Sequence, residues 1–228
     1  MSINEDIEKY ENDKLIQFVK DTTDEILEEK NSNHHRDKFF PILINKLNLN
    51  CGVEIGVDKA EFSLHILEKT DMKKYYCIDT WQDNFGSDFK KDKYDPAGDK
   101  RLLQAYDNLK PYIDSDRVEI IRAKSIDAFQ VDYPPIDYVY IDGDHSLFGI
   151  YNDLHAWTYK AEIGAIIAGH DYKDGPNSGI QDCFGEQLPY RIKTVVDDFC
   201  RKHGFYLHTI GGRILSWFFV KNKDFGKF

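Results

Sequence analysis

The sequence predicts an α/β fold: a Rossmann-like, doubly wound, mostly parallel seven-stranded sheet with an antiparallel C-terminal hairpin strand and an N-terminal helical cap. Three observations predict it. From residue 51 onward short apolar runs alternate with helical stretches, as parallel βαβ units with right-handed crossovers require. The runs are continuously apolar, which suits strands covered on both faces. Near the end, GFYLHTIGGRILSWFFV (204–220) reads as two strands about Gly211-Gly212, a hairpin signal.

Residues 3–30 space Ile7, Tyr10, Leu15, Phe18, Val19, Ile26 and Leu27 at helical intervals among charges. NSNHHRD (31–37) breaks that helix, and a second follows with Phe39, Phe40, Ile42, Leu43 and Leu47. Residues 1–48 are therefore read as a helical cap and 49–228 as the main domain. CGVEIGV (51–57) is a strand and 60–69 a helix; YYCID (75–79) is a strand, 81–98 a polar insert containing aromatics, and 99–110 a helix. RVEIIRA (117–123) is a strand before a short helix. IDYVYID (136–142) is a strand, and 147–160 a helix with Leu147, Ile150, Tyr151, Leu154 and Trp157 on one face. GAIIAGHDY (164–172) is a strand and its exit, 174–187 a Gly/Pro/Asn-rich loop, and 189–203 a helix.

Composition narrows the function. The 228 residues carry 30 Lys plus Arg against 40 Asp plus Glu, a net charge of −10, which argues against a nonspecific nucleic-acid binder. No apolar run approaches the ~20 residues that cross a bilayer. The N-terminus MSINEDIEKYENDK is acidic and lacks the apolar core of a signal peptide, so the expected location is cytoplasmic. Cys51, Cys77, Cys183 and Cys200 show no CxxC spacing and read as buried thiols of a reducing compartment. A homodimer through the N-terminal helices is the expected self-association.

Sheets of this kind bind ligands beyond the carboxyl ends of their strands. Four of the five exits carry acids: Glu54 to Asp58, Asp79 to Trp81, Asp142 to His145 and Gly169 to Tyr172; the exception is Ala123 to Ser125. At the first, EIGVDKAEFS offers Gly56 for close backbone approach, while Asp58 stands where a dinucleotide fingerprint has its second glycine. Glu54 there can pair with a cationic amine. Asp79, about 23 residues beyond Gly56, can accept both hydroxyls of a ribose. Ser125 is a helix N-cap, an adenine contact, or both.

The fourth exit, YVYIDGDHS, and the fifth, IIAGHDY, belong to neighbouring strands and together supply Asp142, Asp144, His145, His170 and Asp171. Oxygen and imidazole donors of this kind suit Mg²⁺ or Mn²⁺, and a histidine beside them suits a general base. The plainer alternatives are a helix cap for Asp144 and a structural role for one histidine. His34-His35 read as solvated, and His203 and His208 as structural.

The ordered set GVEIGVDKAEFS, YYCIDTW, VEIIRAKSIDAF, IDYVYIDGDHS and GAIIAGHDY resembles the class I S-adenosylmethionine (SAM)-dependent methyltransferases over residues 50–220. It is most similar to the bacterial small-molecule O-methyltransferase branch that includes macrolide- and aminocoumarin-sugar enzymes. The resemblance implies that Glu54 and Gly56 hold the methionine end of SAM, that Ser63 reaches its carboxylate, and that Asp79 binds the ribose. It places Lys124 and Ser125 on the adenine side and Asp142 beside the cofactor. It also implies Mg²⁺ on Asp142, His170 and Asp171, with His145 as base and Asp142 and Asp171 sharing the catalytic site. Two positions depart from the family pattern: Ala60 replaces a usual glycine, and His170 stands where relatives carry an acid. The implied partner is a small hydroxylated acceptor, framed by the 81–98 insert and the 173–188 loop with Trp81, Phe85, Tyr94 and Phe184. An NAD-type oxidoreductase and a noncatalytic module of the same fold are the competing readings.

Overall fold

The computed structural model describes residues 3–28, 35–82, 96–179, 186–211 and 214–224. The apolar runs form the expected sheet. Its strands are β1 (Cys51–Ile55), β2 (Lys74–Asp79), β3 (Val118–Arg122), β4 (Tyr138–Ile141), β5 (Ile166–Gly169), β8 (His208–Ile210) and β9 (Ser216–Val220). A separate two-residue pair joins β6 (Asp174–Gly175) to β7 (Tyr190–Arg191). The sheet order is β3-β2-β1-β4-β5-β9-β8. All pairings from β3 to β5 are parallel, while β9 runs antiparallel to β5 and to β8.

Period-two alternation sends successive side chains to opposite faces, so each strand feeds two cores. Tyr138 and Tyr140 of β4 face one core, and Val139 and Ile141 the other. The first core is covered by α1 (Ile3–Glu28), α2 (Arg36–Leu47), α3 (Glu61–Lys69) and α4 (Pro96–Asp114). The second is covered by α5 (Ser125–Ala128), α6 (Leu147–Lys160) and α7 (Ile192–His203). Phe39 and Phe40 of α2 sit in the same core as the strands. Phe40 meets the ring of Tyr140 edge-on at 5.5 Å and that of Phe218 at 6.0 Å. Cys51, Cys77 and Cys200 are buried free thiols, and Cys183 lies outside the described residues. Among the described residues no helix is long and apolar enough to cross a membrane.

Some element ends differ from the sequence reading: the helix expected over 99–110 runs Pro96–Asp114. The helix expected from residue 189 begins at Ile192, because Tyr190 and Arg191 pair with Gly175 and Asp174. Gly211 takes a left-handed φ of 101° at the hairpin, and Gly212 lies outside the described residues.

The sheet closes tightly behind the fourth and fifth exits. Trp217 of β9 is fully buried and lies against Gly169, where a Cβ would stand 2.3 Å from its ring and 2.6 Å from the Ile141 carbonyl oxygen. Its indole N–H donates to the His170 carbonyl at 3.1 Å. Gly169→Ala is expected to cost about 1–3 kcal/mol of unfolding free energy by overpacking. Urea unfolding checks it, and an unchanged midpoint would show that Trp217 yields freely.

Candidate active site

The strand order places the β1 and β4 exits side by side at the centre of the sheet, with β2 and β5 flanking them. The β1 exit turns at Gly56, whose φ of +85° lies in the left-handed region. A Cβ there would stand 2.2 Å from the Asp142 carbonyl oxygen and 2.7 Å from the Gly143 Cα, so only glycine passes. The loop beyond is tied by Asp79. One carboxylate oxygen accepts the Val57 and Asp58 N–H groups, each at 2.9 Å, and the other accepts Trp81 N–H at 2.7 Å. Ala60 has φ +61°, a left-handed position that costs an alanine roughly 1–2 kcal/mol and that glycine adopts without strain. That backbone conformation explains why glycine suits this place.

Glu54 and Ser63 are buried beneath this loop. The Ser63 hydroxyl donates to Glu54 at 2.7 Å, and the Tyr75 hydroxyl donates to the same oxygen at 3.0 Å. The two residues expected to meet a ligand separately are therefore joined to each other. Burial pushes the Glu54 carboxyl up to about 7, against the pull of those two hydroxyls and of Arg36. At the β3 exit Lys124 holds the N-cap position of α5, and Ser125 stands one place inside the helix. The expected cap on Ser125 is thus corrected: its hydroxyl donates instead to the buried Asp153 of α6. Burial drives the Asp153 carboxyl up to about 7, opposed by that bond and aided by nearby Asp144.

The β4 and β5 exits bring Asp142, His145, His170 and Asp171 into one cluster. The His145 Nε2 lies 3.5 Å from Asp142 Oδ1 and 3.9 Å from Asp171 Oδ2. The His170 Nδ1 lies 3.8 Å from Asp142 Oδ2 and 3.6 Å from Asp171 Oδ1. Asp171 holds a left-handed φ of 54°, an uncommon conformation for a non-glycine residue and one that recurs at functional sites. Burial lowers the His170 pKa, against the raising effect of both aspartates. Burial would raise Asp171, but Tyr190, both histidines and Lys173 together hold it below the usual carboxylate range. Asp144 stays out of the cluster. It accepts Ser146 N–H at 2.7 Å, and Ser146 in turn caps α6 by accepting Gly149 N–H at 3.2 Å.

Two residues join the cluster without a signal in the sequence. Arg36, the first residue of α2, donates from Nη1 to Asp142 Oδ2 at 2.8 Å and to the Tyr140 hydroxyl at 3.0 Å. Tyr190, delivered by the β6–β7 pair, lies over His145 at 4.9 Å between ring centroids. Trp81, expected to line an acceptor pocket, is buried in the core, where its indole N–H donates to the Asp58 carbonyl at 2.7 Å. Phe85, Tyr94 and Phe184 lie outside the described residues.

A family model described as a methyltransferase domain matches residues 51–172, 122 of the 228 positions. The chain belongs to this methyltransferase family. The match spans every strand exit from Glu54 to Asp171. Solved structures share the fold. A cofactor-bound protein of MTB, Rv0187, superposes at TM-score 0.59 with 15% identity, covering 91% of this chain and 89% of that one. An O-methyltransferase of Bacillus cereus in complex with SAH gives 0.55 and 14%, covering 94% and 97%. A candidate caffeoyl-CoA O-methyltransferase of Staphylococcus aureus gives 0.60 and 14%, covering 93% and 98%. No curated protein matches the sequence.

Mg²⁺ or Mn²⁺, which the sequence leads one to expect, must be tested against the donors of this methyltransferase. Asp142, His170 and Asp171 can each turn one donor atom toward a common point, all within 4.8 Å of one another. With Arg36 in place, the set fits Mg²⁺ poorly. Mg²⁺ prefers oxygen throughout, one of the three donors is an imidazole, and the Asp142 oxygen facing it already accepts from Arg36.

The two buried carboxyls set a pH dependence. Both are raised in the folded state from ordinary values of 4.5 and 3.8, so the folded form binds these protons more tightly than the unfolded chain. Their stabilising contribution is complete below pH ~4 and is lost as the pH rises through about 7. Glu54→Gln and Asp153→Asn are each expected to stabilise the protein relative to wild type at pH 8, by of order 1–3 kcal/mol, with the difference shrinking toward pH 4. Thermal melts across this range check it, and parallel wild-type and variant curves would contradict it.

Proposed function

We propose that this protein is a SAM-dependent O-methyltransferase that acts on a hydroxyl of a small molecule, with a sugar or natural-product intermediate as the acceptor class. What carries the reading is one juxtaposition. The Gly56 turn, tied down by Asp79, abuts the backbone of Asp142, whose carboxylate flanks the His145 imidazole together with that of Asp171. The family assignment supports methyl transfer over the oxidoreductase alternative, and Asp58, in place of the fingerprint's second glycine, also speaks against a dinucleotide.

The proposed roles follow position. Asp79 sits where a ribose would lie, and each of its oxygens keeps acceptor capacity after bonding the loop. Lys124 and Ser125 border the adenine side. Glu54 lies beneath the methionine end, with Ser63 as its support, and Gly56 lets the cofactor approach the backbone. SAM, when bound, supplies an electrophilic methyl group. His145 Nε2 takes the acceptor's hydroxyl proton as the oxygen gains the methyl. Asp142 and Asp171 flank that nitrogen and favour the imidazolium that results. Tyr190 packs on the ring and limits its rotation. Alignment of hydroxyl and methyl is the rest of the catalysis.

The test measures SAH production from SAM with a panel of phenols, sugars and sugar nucleotides, alongside calorimetric SAH affinity. His145→Ala is expected to leave SAH affinity unchanged and to cut turnover by ~10²–10⁴. Asp79→Ala is expected to weaken SAH binding by about 10- to 150-fold, the loss of a bidentate charge-assisted contact of ~1.5–3 kcal/mol. Full turnover in His145→Ala would remove the base from the mechanism. SAH binding without turnover on any acceptor would favour a noncatalytic module.

A further inference from the structure

The cluster at the β4 and β5 exits has the make-up of a divalent-metal set, yet it already contains a cation. The Arg36 Nη1 bonds Asp142 Oδ2 at 2.8 Å, and this is the oxygen that His170 Nδ1 faces at 3.8 Å. That proximity makes it the Asp142 oxygen best placed for a metal shared with His170 and Asp171. The guanidinium is held from several sides. It bonds the Tyr140 hydroxyl at 3.0 Å, and its carbon lies 4.8 Å from the Phe62 ring centroid and 5.8 Å from that of Tyr140. Its side chain is only 21% exposed. Its chain position is also fixed, because Phe39 and Phe40, three and four residues on, are in the core. A guanidinium does not lose its proton in a protein, so the charge at Asp142 is permanent. A divalent ion on the same carboxylate would face that charge across a few ångströms of partly water-excluded space.

We propose that Arg36 is the resident cation of this site, occupying the place at Asp142 that a divalent metal would otherwise take, and that it makes methyl transfer by this chain metal-independent. Arg36 is thereby a positioning residue. It holds one oxygen of Asp142 so that the other faces His145. For its effect on turnover the proposal rests on the methyltransferase reading above; for its effect on metal binding it does not.

The experiment titrates Mn²⁺ into the full chain without cofactor, following the free-Mn²⁺ signal by electron paramagnetic resonance. Wild type is expected to show no stoichiometric site. Arg36→Gln is expected to gain one Mn²⁺ per chain, bound at least ~10-fold tighter than by wild type, because the competing charge is gone. Arg36→Lys, which keeps the charge, is expected to gain none, and Arg36→Gln combined with Asp142→Asn is expected to lose the gain. Wild type binding one Mn²⁺ as tightly as Arg36→Gln would overturn the proposal, as would Arg36→Gln gaining none. Should Arg36→Gln not fold, the wild-type titration against an Asp142→Asn blank decides alone: one Mn²⁺ lost in the blank overturns the proposal, and none in either supports it. Wild-type turnover, once an acceptor is found, is expected to be unchanged by EDTA. The expected Mn²⁺ pattern with no turnover on any acceptor would leave Arg36 in place and count only against the proposed activity.

Discussion

The contact between Gly56 and the backbone of Asp142 is the constraint on which the site depends. A positive φ lets the chain leave β1 sharply, and the missing side chain lets it lie directly against the β4 exit. The Asp142 N–H reaches back to the Ile55 carbonyl at 2.8 Å, so the two exits are bonded as well as packed. Asp79 then gathers the loop N–H groups from the β2 side. The result is a wall shared by the proposed cofactor loop and the proposed acid–base cluster, which would set the distance between methyl donor and base by backbone packing rather than by flexible side chains.

Charge is the second theme. Glu54, Asp142 and Asp171 converge on a partly buried region of a protein whose net charge is already −10. Three carboxylates so placed need compensation. Burial raises Glu54, so that a proton can take up part of the charge; Arg36 answers Asp142; the two histidines and Lys173 surround Asp171. A cationic cofactor entering beside Glu54 would meet a site whose negative charge is only partly balanced, and that favours its binding.

Much of this was legible in the sequence. Continuous apolar runs identify the inner strands β1, β2, β4, β5 and β9, since strands buried on both faces have no polar face to interrupt them. Adjacent parallel strands also bring the YVYIDGDHS and IIAGHDY exits together without further information. What local pattern cannot carry is contact across the chain. Arg36 meets Tyr140 and Asp142 over 104 and 106 residues, from a helix that matches no motif. Tyr190 looks like the start of a helix, and only the β6–β7 pair turns it toward His145. Trp81 stands in a polar segment yet is buried, because its indole N–H finds the Asp58 carbonyl. Ser125 looks like a cap and serves Asp153 instead, a partner 28 residues away on α6.

The most direct measurement is a crystal structure of the full chain with SAH. The ribose hydroxyls should lie on Asp79, the backbone of the Gly56 turn should border the amino-acid end, and the sulfur should point toward His145. SAH bound away from Asp79, or with its sulfur turned from the cluster of His145, Asp142 and Asp171, would contradict the claim that these two exits form one methyl-transfer site.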